Sequence, residues 1–354
     1  MGLDLDELRA LAQQWGQPAY RGSQLYHALY AEGRWEFRRM TSLSRALRAR
    51  LERDAVATWP QLARRYPSAD GSIRYLLQLA DGKSIETVWM PEAGRQTLCL
   101  STQAGCAVDC RFCATARLGL VRNLSAGEIV GQVLAVLADN RQRRRPRTNV
   151  VLMGQGEPLL NYEPTLKAVR LLADPQGMNI PLLRITLSTA GIIPGIRRLA
   201  REDRRPKLAV SLNATTDEQR TAIMPLNRKY PLAELLAACR AYPLRPRERL
   251  TFEYVLLGGL NDTPEDDRRL ARLTRGLRCK VNLIPWNPVP GLPDSGLPYR
   301  APADAALESF QKILRRAGLL AFLRCSRGQD VSAACGQLAS LTTPAAQPSP
   351  ASAG

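Results

Sequence analysis

Residues 104–120 read AGCAVDCRFCATARLGL, and their cysteines Cys106, Cys110 and Cys113 stand in a Cys-x3-Cys-x2-Cys spacing. Three thiolates in one glycine-containing loop can wrap a metal centre, yet they supply one ligand too few for a closed tetrahedral site. On spacing alone three readings stand: a [4Fe–4S] cluster with one open iron, a structural zinc completed by a distant cysteine such as Cys99, or unrelated thiols. A ferredoxin-like electron-transfer centre usually has its fourth cysteine nearby, and this loop has none.

The loop follows the first of six short apolar runs, at 97–101, 149–153, 184–188, 208–212, 250–257 and 280–284. Helical patterning follows each in turn, at 125–139, 163–174, 193–201, 231–241, 264–275 and 303–317. Apolar strands alternating with helices predict an α/β fold with a parallel sheet covered on its outer face, and six units predict a partial (β/α)6 barrel. Upstream, helices are expected over 3–15, 23–31 and 41–51, then a β-hairpin over 73–79 and 85–90 turning at Asp81-Gly82. The expected organisation is an accessory unit of helices plus hairpin over 1–92, a barrel core over 93–325, a C-terminal segment over 326–340 and a Pro/Ala/Ser-rich disordered tail over 341–354.

Composition narrows the chemistry. The 354 residues carry a formal charge of +18 and are 45% hydrophobic, enough to bury a core. No run approaches the ~18 apolar residues of a membrane span, so a cytoplasmic protein without a membrane partner is expected. The arginines cluster at 141–147, 197–205 and 245–249, and a planar guanidinium fork suits phosphate, which points to nucleic acid. One histidine, His27, makes imidazole metal sites and a histidine base poor prospects. Chemistry is then left to cysteine, carboxylate, lysine or a cofactor.

Four polar stretches, GQGEPLLN (154–161), TLSTAG (186–191), SLNATT (211–216) and IPWNPVPG (284–291), fall at the carboxyl ends of predicted strands, the rim where a parallel barrel builds its site. The cysteine loop with Phe112 before its last cysteine, placed after the first barrel strand, resembles the cluster loop of the radical S-adenosylmethionine (SAM) superfamily. Together with RGQD (327–330) and ACGQL (334–338), these stretches resemble the RlmN branch of the RlmN/Cfr family of radical SAM RNA methyltransferases, over residues 1 to about 340.

That resemblance implies a [4Fe–4S] cluster on Cys106, Cys110 and Cys113, and two SAM molecules per turnover, one giving a methyl group and one a 5′-deoxyadenosyl radical. It implies methylation of adenine C2, at adenosine 2503 of 23S rRNA and in many members adenosine 37 of tRNA. Cys335 matches the cysteine that carries the methyl group and is bound transiently to RNA. Cys99 matches the one that resolves the adduct through a short-lived disulfide. Glu86 matches the proton acceptor; read without the resemblance it is an exposed strand residue. Gly156 and Glu157, Ser188, Ser211, Leu212, Asn213 and Asn287 match SAM contacts. Asn213 stands where the family usually has histidine, and its amide is expected to preserve SAM binding. Gln155 is assigned no role, and Cys239 and Cys279 read as core thiols. A flavodoxin-type electron donor and a monomeric state are expected. The rival readings are Cfr-type methylation at C8 and a zinc-stabilised RNA-binding module.

Overall fold

The computed structural model describes residues 1–57, 59–288 and 299–339. The tail over 341–354 and positions 289–291 of the IPWNPVPG stretch lie outside the described residues.

Three helices open the chain: α1 (Leu5–Gln14), α2 (Tyr20–Tyr26) and α3 (Arg45–Asp54). Asp4 and Glu7 form a capping box on α1. In α2, a Cβ on Gly22 would stand 2.3 Å from the Leu8 carbonyl, so glycine lets α1 and α2 cross closely. The second helix passes into a π-helical turn, His27–Ala31, which carries the lone histidine. The third starts four residues later than predicted because Ser44, whose side chain accepts from Leu47 N–H, takes the cap.

Then come β1 (Gln61–Pro67), β2 (Ile73–Gln78), β3 (Ser84–Glu92) and β4 (Arg95–Cys99), and a small clasp of β5 (Gln103–Gly105) and β6 (Leu120–Asn123) around the one-turn α4 (Ala114–Arg117). The barrel continues as α5 (Ala126–Asp139), β7 (Thr148–Leu152), α6 (Tyr162–Ala173), β8 (Ile185–Thr189), α7 (Ile193–Leu199), β9 (Lys207–Ser211), α8 (Asp217–Ile223), α9 (Leu232–Arg240) and β10 (Leu250–Leu256). It ends with α10 (Pro264–Leu273), β11 (Cys279–Pro285), α11 (Asp304–Arg316) and β12 (Leu320–Leu323).

Ten strands make one sheet in the order β1-β2-β3-β4-β7-β8-β9-β10-β11-β12. Pairing is antiparallel up to β4 and parallel beyond it. The six predicted barrel strands are all present, joined by β12 as a seventh parallel strand. Among the described residues β1 and β12 do not pair with each other, so the barrel is partial and open. The expected hairpin, β2 and β3, joins this sheet directly: β3 pairs with β4, and the sheet crosses residue 92 without a break.

Side-chain alternation divides the sheet's faces. Leu98, Val150, Leu187, Val210, Phe252 and Leu283 share one buried core with Ile129, Val133, Leu166, Val169 and Ile196 of the covering helices. Truncating one such buried leucine to alanine costs about 2–5 kcal/mol. The intervening Cys99, Ser188, Ser211, Glu253 and Asn282 take the concave face. No helix among the described residues is long and apolar enough to cross a membrane.

Candidate active site

The cysteine loop hangs from the β5–β6 clasp. Cys106 N–H donates to Gly119 O at 2.9 Å, and Cys113 N–H to Cys110 O at 3.0 Å. Gly105 has φ +74°, and a Cβ there would fall 1.9 Å from Gly119 O, so only glycine closes the clasp. Burial, the larger cause, pushes Cys106 up to about 12 and Cys110 well above the ordinary thiol range, and the thiols are near enough that the charge of Cys113 adds to both shifts and that of Cys106 to the shift of Cys110. Cys106 and Cys110 therefore hold their protons until a metal displaces them. Among the described residues no three His, Cys, Asp or Glu side chains gather closely enough to hold a single ion. A [4Fe–4S] cube needs no such convergence, because each cysteine binds its own corner. The donor set, three soft thiols and no fourth, fits a cluster with one open iron.

The C-terminal segment is strapped onto this loop. Ala114 N–H donates to Gly336 O at 2.7 Å, and Thr115 Oγ1 to Leu338 O at 2.5 Å. Gly336, at φ +82°, would place a Cβ 3.7 Å from Phe112 O. Buried Asn287 donates from Nδ2 to Cys335 O at 3.2 Å, and its Oδ1 accepts from Gln329 Nε2 at 2.6 Å. Both polar ends of Asn287 thus hold the C-terminal segment that bears Cys335.

Cys335 stays accessible from the open side, yet protein surrounds its thiol; this desolvation, with Glu253 as the next cause, pushes it up to about 11. Cys99 on β4 faces the same segment: its thiol is raised by burial and then by the charge of Cys335, and it packs beside Val331, Ala333 and Leu338. Both are free thiols, as are the other six cysteines, so no disulfide is present. Cys239 and Cys279 are buried, as expected of core thiols.

Glu86 is not an exposed strand residue. It is fully buried on β3, ion-paired with buried Arg74, whose guanidinium lies 4.0 Å from the Tyr66 ring centroid. Gln155 Nε2 donates to Glu86 Oε2 at 3.4 Å. Val88, two residues along β3, pairs with Cys99, so carboxylate and thiol are on adjacent strands.

The loop after β7 bends hard toward the cysteines. Gly156 has φ +97°, and a Cβ there would meet Gln103 N at 2.7 Å. Glu157 accepts from Leu159 N–H at 3.0 Å and from Ala190 N–H at 2.7 Å, tying this loop to that after β8. Burial outweighs these bonds and pushes its carboxyl up to about 7. Its charge acts in turn on Cys106 and Cys110. Ser188 and Ser211 are half-buried at the ends of β8 and β9 with hydroxyls that have no partner among the described residues, free for a ligand. Leu212 is buried. Asn213 is buried in the left-handed region at φ +58°; its Oδ1 accepts from Val255 N–H at 2.8 Å and its Nδ2 donates to Met224 Sδ at 3.3 Å. Its amide therefore supports a turn, a role that asparagine fills well in this conformation.

Residues 100–271 match the model of the radical SAM superfamily, and residues 1–57 that of the ribosomal RNA large subunit methyltransferase N-terminal domain. A crystal structure of a radical SAM methyltransferase from Sphaerobacter thermophilus superposes with a TM-score of 0.91 at 46% identity, covering 96% of this chain and 98% of that one. The fold is that of a radical SAM enzyme, a superfamily for which SAM and a [4Fe–4S] cluster are the cofactors. The probable dual-specificity RNA methyltransferase RlmN of Koribacter versatilis is 50% identical over 340 residues, 91% of this chain and 96% of that protein. The dual-specificity RNA methyltransferase RlmN of Anaeromyxobacter dehalogenans is 48% identical over 350 residues, 95% and 92% of the two chains. The chain belongs to the RlmN family of dual-specificity RNA methyltransferases.

Sequence reading missed Arg74, Gln103, Gln155 and Arg220 as parts of this site. Gln155 sat inside a quoted motif without a role, Gln103 stood just before the cysteine stretch, and the two arginines carried no local signal.

Proposed function

We propose that this protein methylates C2 of adenosine in RNA, at adenosine 2503 of 23S rRNA and adenosine 37 of tRNA, with Cys335 as methyl carrier. The observation that carries this reading is the turn bearing Cys335, hydrogen-bonded to the cluster loop at Ala114 and facing Cys99. When bound, the cluster and two molecules of SAM per turnover supply the methyl group and the radical. Cys335 takes the methyl group on sulfur and joins the adenine through the resulting carbon. Glu86, held by Arg74 and Gln155, accepts the proton from C2. Cys99 then attacks Cys335 sulfur, freeing the methylated base and leaving a transient disulfide to be reduced before the next turnover. Gly156, Glu157, Ser188 and Ser211 hold SAM, with Leu212 and Asn213 shaping the turn beneath it and Asn287 positioning Cys335.

The accessory unit over 1–92 grips folded RNA, the core over 93–325 holds the cofactors, and the segment over 326–340 delivers the thiol. A monomeric cytoplasmic enzyme served by a flavodoxin-type donor completes the reading. The test is anaerobic reconstitution, incubation with both RNAs and nucleoside mass spectrometry. 2-Methyladenosine in each is expected; 8-methyladenosine would reassign the enzyme to Cfr-type chemistry. A colourless zinc protein that leaves RNA unmodified would sink the reading.

A further inference from the structure

Three arginines are buried among the described residues: Arg74, Arg205 and Arg220. The first two have carboxylates, Arg74 with Glu86 and Arg205 with Glu248 at 3.6 Å. Arg220, on α8 and the most deeply buried of the three, has only neutral acceptors. Its Nε donates to Leu212 O at 3.0 Å and Nη1 to Asn227 Oδ1 at 3.1 Å, while Nη2 reaches Ala190 O at 2.6 Å and Ser211 O at 3.2 Å. The carboxylate of Asp217 is one step removed, its Oδ1 taken by Asn227 Nδ2 and Leu232 N–H, each at 2.9 Å. A buried cation without a counter-ion is costly. Here desolvation pulls Arg220 down to about 10, and Cys110 is the strongest influence holding its charge. The geometry sets α8 against the cysteine loop: Arg111 N–H, next to Cys110, donates to Ile223 O at the end of α8 at 2.9 Å, and Cys106, Cys110 and Phe112 pack on the apolar cluster that holds Ile223 and Met224.

We propose that Arg220 is the fixed counter-charge of the iron–sulfur cluster, a positioning residue that favours the reduced cluster while its fork pins the loops after β8 and β9. This rests on the cluster reading above. Three thiolates on a 2+ cluster leave one net negative charge, and reduction adds a second, so a buried cation beside Cys110 stabilises the reduced form more than the oxidised one.

The test is an EPR-monitored redox titration of the loaded protein, independent of methylation. Arg220→Gln is expected to lower the equilibrium for reduction about tenfold, which for one electron is about 59 mV toward negative potential. Arg220→Lys, which keeps the charge and loses most of the fork, should remain near the wild-type potential. Asn227→Asp, which leaves the arginine in place and sets a carboxylate against it, should shift as Arg220→Gln does and serves if the glutamine variant does not fold. Unchanged potentials in the charge-altering variants, or equal shifts in the lysine and glutamine variants, would overturn the proposal. Wild-type protein that takes up no cluster would instead bring down the cluster reading itself.

Discussion

Asn287 holds the backbone of Cys335: one amide donates to its carbonyl at 3.2 Å, while Gln329 fixes the other end of the side chain at 2.6 Å. The turn is therefore aimed by the loop that leaves β11 of the barrel. Asn287→Ala should reduce methylated product at least tenfold while iron content stays at the wild-type value, because no cluster ligand is touched. The lost buried bonds should also cost about 1–3 kcal/mol in denaturant melts.

Cys99 and Cys335 should separate cleanly by substitution. Cys335→Ala should give neither product nor covalent RNA. Cys99→Ala should leave RNA attached to the protein through Cys335, seen as a band that survives denaturing electrophoresis. Release of free methylated RNA by Cys99→Ala at the wild-type rate would remove Cys99 from the reaction.

Breaking the Arg74–Glu86 pair from one side strands a fully buried charge. Arg74→Met should destabilise the fold by about 3–5 kcal/mol, measured by urea unfolding of the cluster-free protein. Arg74→Met with Glu86→Gln should recover most of that loss, since no charge is then left uncompensated.

Glu157 gives an unusual pH signature. Its carboxyl is raised from 4.5 to about 7 when folded, so the folded state binds the proton more tightly than the unfolded chain does. The contribution is fully present below about 4.5 and is lost as pH rises through 7, amounting to about 3 kcal/mol. In the cluster-free protein, Glu157→Gln, which mimics the protonated acid, should therefore gain stability over wild type between pH 5 and 8. A constant gap across that range would contradict the burial argument.

The barrel strands were legible because each is a short apolar run with a helical repeat behind it, and the cysteine loop because its spacing is local. Glu86 was misread without the resemblance because its burial depends on Arg74 across the hairpin and on Gln155 from the loop after β7, neither of which leaves a mark around residue 86. Arg220 sits in DEQR at the start of α8, which reads as a solvated helix end; only the fold closes it beneath two other loops. The first strand, QLARRYP, carries no alternation and is mostly exposed, held by backbone pairing with β2, by buried Tyr66 and by the ion pair of Arg65 with Asp139. The second role of Asn287 was hidden for the opposite reason: its motif was conspicuous and invited a ligand.

The unbroken sheet across residue 92 bears on how this protein can be handled. A barrel expressed without residues 1–92 would present β4 as a naked edge, with a row of unpaired amides and carbonyls that β3 normally satisfies. Such an edge recruits strands from other copies. Truncation at this seam should therefore yield inclusion bodies rather than a minimal catalyst, which makes residues 1–92 a solubility shield for the barrel.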